Sequence, residues 1–228
     1  MKRSLFILIL AVLLCLSACG APAADNPGTA DTKPANTSAA DAKPTEPESK
    51  PTEPEAYEFE PGYFPIPEEP ATFTFLSGAG GWWTEMDINT DGTFSGRFQD
   101  GDMGASGEGY QATYYFCNFS GVFTDVEKVN SYTYKVRLSD IKTVEPVGKE
   151  WIENECLYIA AEPYGLSDPE GKEKCEEFIV YMPTAPVSEL PEEFLSWWPY
   201  RGENKDTLSC FGLRNVTTNY GFFYIPEA

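Results

Sequence analysis

From residue 72 onward, apolar and polar side chains alternate with a period of two. The clearest case is "WWTEMDI" at 82–88, where Trp82, Thr84, Met86 and Ile88 fall on one side and Trp83, Glu85 and Asp87 on the other. Successive side chains of a strand point to opposite faces, so this pattern predicts a half-buried β-strand. "TFSGRF" at 93–98 groups Phe94, Gly96 and Phe98, and "SYTYKVRLSDI" at 131–141 groups Tyr132, Tyr134, Val136 and Leu138. "TFTFLS" at 72–77, "ATYYFCNFSGVF" at 112–123, "CLYIA" at 156–160, "EFIVYM" at 177–182, "LSCFGL" at 208–213 and "YGFFYI" at 220–225 are further strand candidates. One helix is expected near 189–198, with Ser188 as its cap, Pro191 in its first turn, and Glu192 and Glu193 at its positive end. About nine strands and one short helix predict an all-β domain, either an antiparallel β-barrel or a β-sandwich.

The pattern is different before residue 71. Lys2 and Arg3 precede an unbroken apolar run, Leu5 to Leu16. As a helix that run is roughly 18 Å long, against about 30 Å for a bilayer core, so it has the length of a signal-peptide core and not of a membrane span. Residues 20–70 hold 11 of the chain's 19 prolines, and "KPTEPE" occurs twice, at 43–48 and 50–55. Such a segment buries too little apolar surface to offset chain entropy, and proline at this density favours extended backbone. The expected organisation is a signal peptide over 1–18, a disordered tether over 19–70 and one β domain over 71–226. The last part of the tether, "YEFEPGYFPIPEEP" at 57–70, carries four aromatic residues and is expected to lie along the folded domain.

Leu16-Ser17-Ala18-Cys19 is followed by Gly20. This resembles the lipobox of bacterial lipoproteins at all four positions. The resemblance implies cleavage before Cys19, diacylation of its sulfur, and a chain held at the cell membrane and facing outside the cytoplasm. Each buried methylene of the lipid adds roughly 0.8 kcal/mol of membrane affinity. "GAGGWW" at 78–83 places a glycine two residues before a tryptophan at a strand start, which resembles the G-x-W motif of lipocalins and related calycin barrels. Lipobox, acidic spacer and aromatic β domain together resemble the uncharacterised surface lipoproteins of Gram-positive anaerobes, a likeness that brings no catalytic residues with it.

Charge and composition narrow the function classes. The formal charge is −20, and loss of Lys2 and Arg3 with the leader takes it to −22. Nucleic acid and anionic lipid headgroups repel such a chain, so no nucleic-acid partner is expected and the membrane contact rests on the anchor. Histidine is absent, which excludes Ser-His-Asp and Cys-His nucleophiles and every histidine-ligated metal. Carboxylate-only catalysis stays open. With Cys15 in the leader and Cys19 lipidated, Cys117, Cys156, Cys175 and Cys210 remain. Four cysteines allow three pairings or none; a Cys156–Cys175 bridge is the expected one if pairing occurs.

Two local features are candidate sites. "DINTDGTFSG" at 87–96 shares with an EF-hand loop the spacing of Asp87, Asn89 and Asp91 and a following Gly92. The twelfth loop position should be glutamate and is Phe98. In a continuous strand Asp87 and Asp91 stand roughly 13 Å apart, whereas calcium needs oxygens at about 2.4 Å. A hairpin turning at Asp91-Gly92 is therefore expected, with calcium at Asp87, Asn89 and Asp91 as the alternative. Trp83 is expected to point outward beside Glu85 and Asp87, where an indole stacks on a sugar or fills a partner's pocket. The expected function is a non-catalytic, membrane-anchored module that binds a small apolar ligand, a glycan or an envelope protein, without a cofactor. A carboxylate-dependent hydrolase and a calcium-binding adhesion component are the alternatives.

Overall fold

A computed structural model describes residues 57–199 and 206–224. They belong to the compact unit Pro51–Ala228. The leader, Cys19, most of the tether and the last residues of the expected β domain lie outside the described residues.

Ten strands form one sheet: β1 (Ala71–Leu76), β2 (Trp82–Ile88), β3 (Thr93–Asp102), β4 (Ala112–Lys128), β5 (Thr133–Thr143), β6 (Glu150–Glu153), β7 (Cys156–Ala160), β8 (Glu177–Tyr181), β9 (Gly212–Asn215) and β10 (Gly221–Tyr224). Eight of them close on themselves. Strands β1 to β5 pair in sequence, β5 pairs with β8, β8 with β9, β9 with β10, and β10 returns to β1, every pair antiparallel. The result is an up-and-down antiparallel barrel, and the sandwich alternative does not form. The hairpin β6–β7 is inserted between β5 and β8 and lies outside the ring. Its strand β7 runs parallel to the first residues of β4, Ala112–Phe116, whose edge β5 does not cover because that strand ends opposite Phe119. The insertion thus covers an edge that would otherwise be open.

The alternation predicted for β2 holds, with Thr84, Met86 and Ile88 buried and Trp83, Glu85 and Asp87 half-buried. The inward faces fill the barrel. Phe73, Phe75, Met86, Ile88, Phe123, Phe178 and Phe222 are each below 2% exposed. Phe64 and Ile66, ahead of β1, are buried in the same core; Phe64 packs on Phe123 and its amide donates to the Thr90 carbonyl. They close one mouth of the barrel, and Leu166 from the β7–β8 loop is buried at the other. A second cluster lies outside the ring, where Phe194, Leu195, Trp198, Leu208 and Cys210 cover the outer side of Tyr181 and Phe223.

The helix is shorter than expected. A 3-10 turn spans Val187–Glu189, and α1 spans Glu192–Ser196. Ser188 lies in the turn and does not cap, while Pro191 is the N-cap in extended conformation and makes no side-chain cap bond. Proline has no N–H and its preset φ suits the boundary, so the chain bends there and the helix begins one residue later. Among the described residues, no helix is long and apolar enough to cross a membrane.

Candidate functional site

Trp83 projects from the outer face of β2, as its parity requires. The Arg97 guanidinium lies 4.5 Å above its ring and 3.9 Å from Glu85. One face of the indole is therefore already occupied by a cation–π contact from β3. Across the register Trp83 stands beside Gln99, and Gln99 beside Phe116. From there an aromatic band runs over the insertion. Tyr114 stacks on Tyr158 at 5.6 Å, Tyr158 on Trp151 at 5.5 Å, and Phe116 meets Trp151 edge-on at 5.0 Å. These rings mostly cover one another, which makes the band a packing ladder more than an open platform.

The hairpin at 87–96 forms. Strands β2 and β3 pair with Ile88 opposite Phe94, the Gly92 amide donates to the Asn89 carbonyl, and Gly92 sits at φ +83°. The three candidate calcium ligands are each engaged by a threonine, Asp87 by Thr72 and both Asn89 and Asp91 by Thr93. Asp87 accepts from the Thr72 hydroxyl at 2.6 Å, the Asn89 amide donates to the Thr93 hydroxyl at 3.0 Å, and Asp91 accepts from the Thr93 amide and hydroxyl. Those donors hold the Asp91 carboxyl below its ordinary pKa. Among the described residues, no group of three carboxylate, thiol or imidazole side chains is arranged to hold a metal ion.

All four described cysteines are free thiols, which corrects the expected Cys156–Cys175 bridge. Cys156 stands opposite Ala112 at the start of β4. Cys175 precedes Glu176, whose carbonyl accepts from Leu138, and Leu138 pairs with Phe123. Ala112 and Phe123 are on the order of 30 Å apart along β4 at about 3.3 Å per residue, far beyond the 7 Å that a disulfide tolerates between Cα atoms.

A concave feature that combines aromatic rings with carboxylates is at the mouth capped by the β7–β8 loop. There Phe98, Asp100 and Tyr115 face inward from β3 and β4, and Glu162, Tyr164 and Asp168 come from the loop. Together they line a groove of about 350 Å³. The loop is pinned from below: the Asn215 amide donates to the Gly165 carbonyl at 2.9 Å, and the Thr84 hydroxyl donates to the Tyr164 carbonyl. Trp82, which shares its parity with the buried Thr84 and Met86, is half-buried at this mouth, edge-on to Tyr164 at 5.0 Å. Trp197 packs edge-on against Phe75 at 4.9 Å. Asp168 accepts from the amides of Glu170, Lys172 and Glu173, which hold its carboxyl below the usual carboxylate range. The Tyr164 hydroxyl is pushed up, first by burial and then by its bond with Tyr220, so it stays protonated.

Reading the sequence alone misses this groove, because its residues come from three separate stretches, 98–100, 115 and 161–169. A sequence signal did exist in "ATYYFCNF", where aromatics occupy both parities. A strand with apolar residues on both faces has more rings than the core needs, and Tyr115 is 37% exposed although it shares its parity with the buried Cys117 and Phe119. No protein-family model, no curated protein and no solved structure matches this chain.

Proposed function

We propose that this chain is a lipid-anchored module displayed outside the cytoplasm, which works by binding and not by catalysis, through its outer surface and barrel mouth. The single observation that carries the reading is the filled interior: phenylalanines from β1, β4, β8 and β10 occupy the volume in which a hollow barrel would hold a small apolar ligand. Recognition is left to the exterior, where a glycan or an envelope protein has access. The likeness to lipocalins is loose, resting on the closed meander of eight strands without the cavity.

In the mouth groove Asp168 does not suit the proton-donor role of hydrolysis. A carboxylate hydrolase needs one acid that keeps its proton near neutral pH. Asp168 is driven the other way by its three amide donors. The anchor rests on the lipobox residues Leu16 to Cys19. Replacing Cys19 by Ala removes both the cleavage site and the acylated sulfur. The expected result is loss of metabolic fatty-acid label and release of the chain from the membrane fraction. Equal label in wild type and Cys19→Ala would overturn the anchor.

A further inference from the structure

We propose that the groove at the barrel mouth binds a small organic ammonium group, of the methylated-amine type, against the exposed ring of Tyr115 and the packed pair Phe98 and Tyr164, and beside the carboxylates of Asp100, Glu162 and Asp168. The proposal deepens the binding reading above and rests on it. Size comes first. The groove measures about 350 Å³, within the range of about 300–1,000 Å³ typical of small-molecule sites and ample for a headgroup of a few heavy atoms.

Charge decides the class of ligand. Three acids line the groove and no lysine or arginine does. Among the described residues, neither the Asp100 nor the Glu162 carboxylate makes a hydrogen bond or ion pair, and the Asp168 carboxylate is held ionised by backbone amides. Ring faces attract cations through their quadrupole, and nearby carboxylates strengthen that attraction in a partly desolvated site. An anionic ligand would meet these acids and a chain of net charge −20. A neutral sugar needs donors as well as acceptors. Here the Tyr115 hydroxyl is one donor at the wall, Ser167 spends its hydroxyl on the Pro163 carbonyl, and no amide or guanidinium side chain lines it. An ammonium group bearing methyls asks only for what is present: apolar ring surface and negative charge.

The site is also preformed. Thr84, Asn215 and the buried Leu166 fix the loop that carries Glu162, Tyr164 and Asp168, and β-sheet pairing fixes Asp100 opposite Tyr115. Little ordering is left for the ligand to impose.

The test titrates the full chain with choline and follows tryptophan fluorescence, since Trp82 abuts Tyr164. Saturable binding is expected. Its uncharged isostere 3,3-dimethylbutanol should bind about tenfold more weakly, as should choline to Tyr115→Ala and to Asp100→Asn, each substitution removing about 1.4 kcal/mol of ring or charge attraction. Melting curves establish that the variants fold; if Tyr115→Ala does not, Asp100→Asn decides. Equal binding of choline and its isostere, or unchanged affinity in the variants, overturns the proposal. Saturation by methyl glucoside and not by choline overturns the ammonium assignment and leaves the binding reading intact. Absence of binding by either overturns the site, whereas equal fatty-acid label in wild type and Cys19→Ala with choline binding retained removes only the anchor.

Discussion

The Thr84 hydroxyl donates to the Tyr164 carbonyl at 2.9 Å, joining residues 80 positions apart across the mouth of the barrel. Thr84 is fully buried on the inner face of β2. The next carbonyl of the loop, that of Gly165, is taken by Asn215 on β9. Two adjacent backbone acceptors that leave water are thus each met by a polar side chain from a different strand, as buried carbonyls require.

Thr84→Val keeps the shape and removes the donor. The stranded carbonyl should cost about 1–3 kcal/mol. The midpoint of urea unfolding should fall with its slope unchanged. An unchanged midpoint would mean that Asn215 and Leu166 secure the loop without Thr84.

Gly92 and Gly148 share a positive φ, +83° and +81°, and differ in surroundings. A Cβ on Gly92 would stand 2.2 Å from the Phe123 carbonyl oxygen, while nothing lies within 4 Å of one on Gly148. The backbone strain of alanine, about 1–2 kcal/mol, applies at both. Gly92→Ala should therefore destabilise clearly more than Gly148→Ala in parallel denaturant titrations. Equal losses would show that the hairpin tip moves away from β4 without cost.

Calcium should leave stability unchanged, because Asp87 and Asp91 are committed to Thr72 and Thr93. A ligand bound only by the native state at a hundredfold over its dissociation constant would add about 2.7 kcal/mol and several degrees of melting temperature. Melting curves in millimolar calcium and in chelator should coincide. A shift lost on replacing both aspartates by alanine would reinstate the metal site.

Burial pushes the Cys117 and Cys210 thiols up to about 12 from their usual 9.0. The fold keeps these protons where the unfolded chain loses them. Their contribution is fully present below pH 9 and declines as pH rises from 9 toward 12. Stability should fall over that window, less steeply in Cys117→Ala. In mass mapping of the native chain at pH 8, alkylation should reach the half-exposed Cys156 first and Cys117, Cys175 and Cys210 only on unfolding. Prompt labelling of Cys210 would show that α1 lifts from the barrel.

Period-two alternation made the barrel legible wherever one face meets the core and the other meets water. The span 82–98 has that character, and strand β7 matches its expected range, 156–160. The pattern fails where both faces are covered. "LSCFGL" predicts a strand at 208–213, yet β9 spans Gly212–Asn215, because Leu208 and Cys210 belong to the cluster packed outside the ring. Strand β6 escapes detection since "EWIE" holds only two apolar residues and gains its strand character from pairing with β7. The mouth groove was illegible for a related reason. In the sequence Asp100 is far from Glu162 and Asp168, and only strand pairing and loop closure bring them together with Tyr115.

The position of β10 between β1 and β9 governs the order in which the molecule completes itself. Phe73, near the beginning of the fold, pairs with Tyr224, near its end. A chain delivered from its N-terminus, by ribosome or by secretion pore, can zip β1 through β5 as it emerges, but β1 keeps a bare backbone edge until residues 221–224 arrive. Such an edge is a template for pairing with other chains, and contacts this distant in sequence form slowly. The last strand is thus the latch of the barrel, and the interval before it engages is when a nascent copy is most exposed to misassembly.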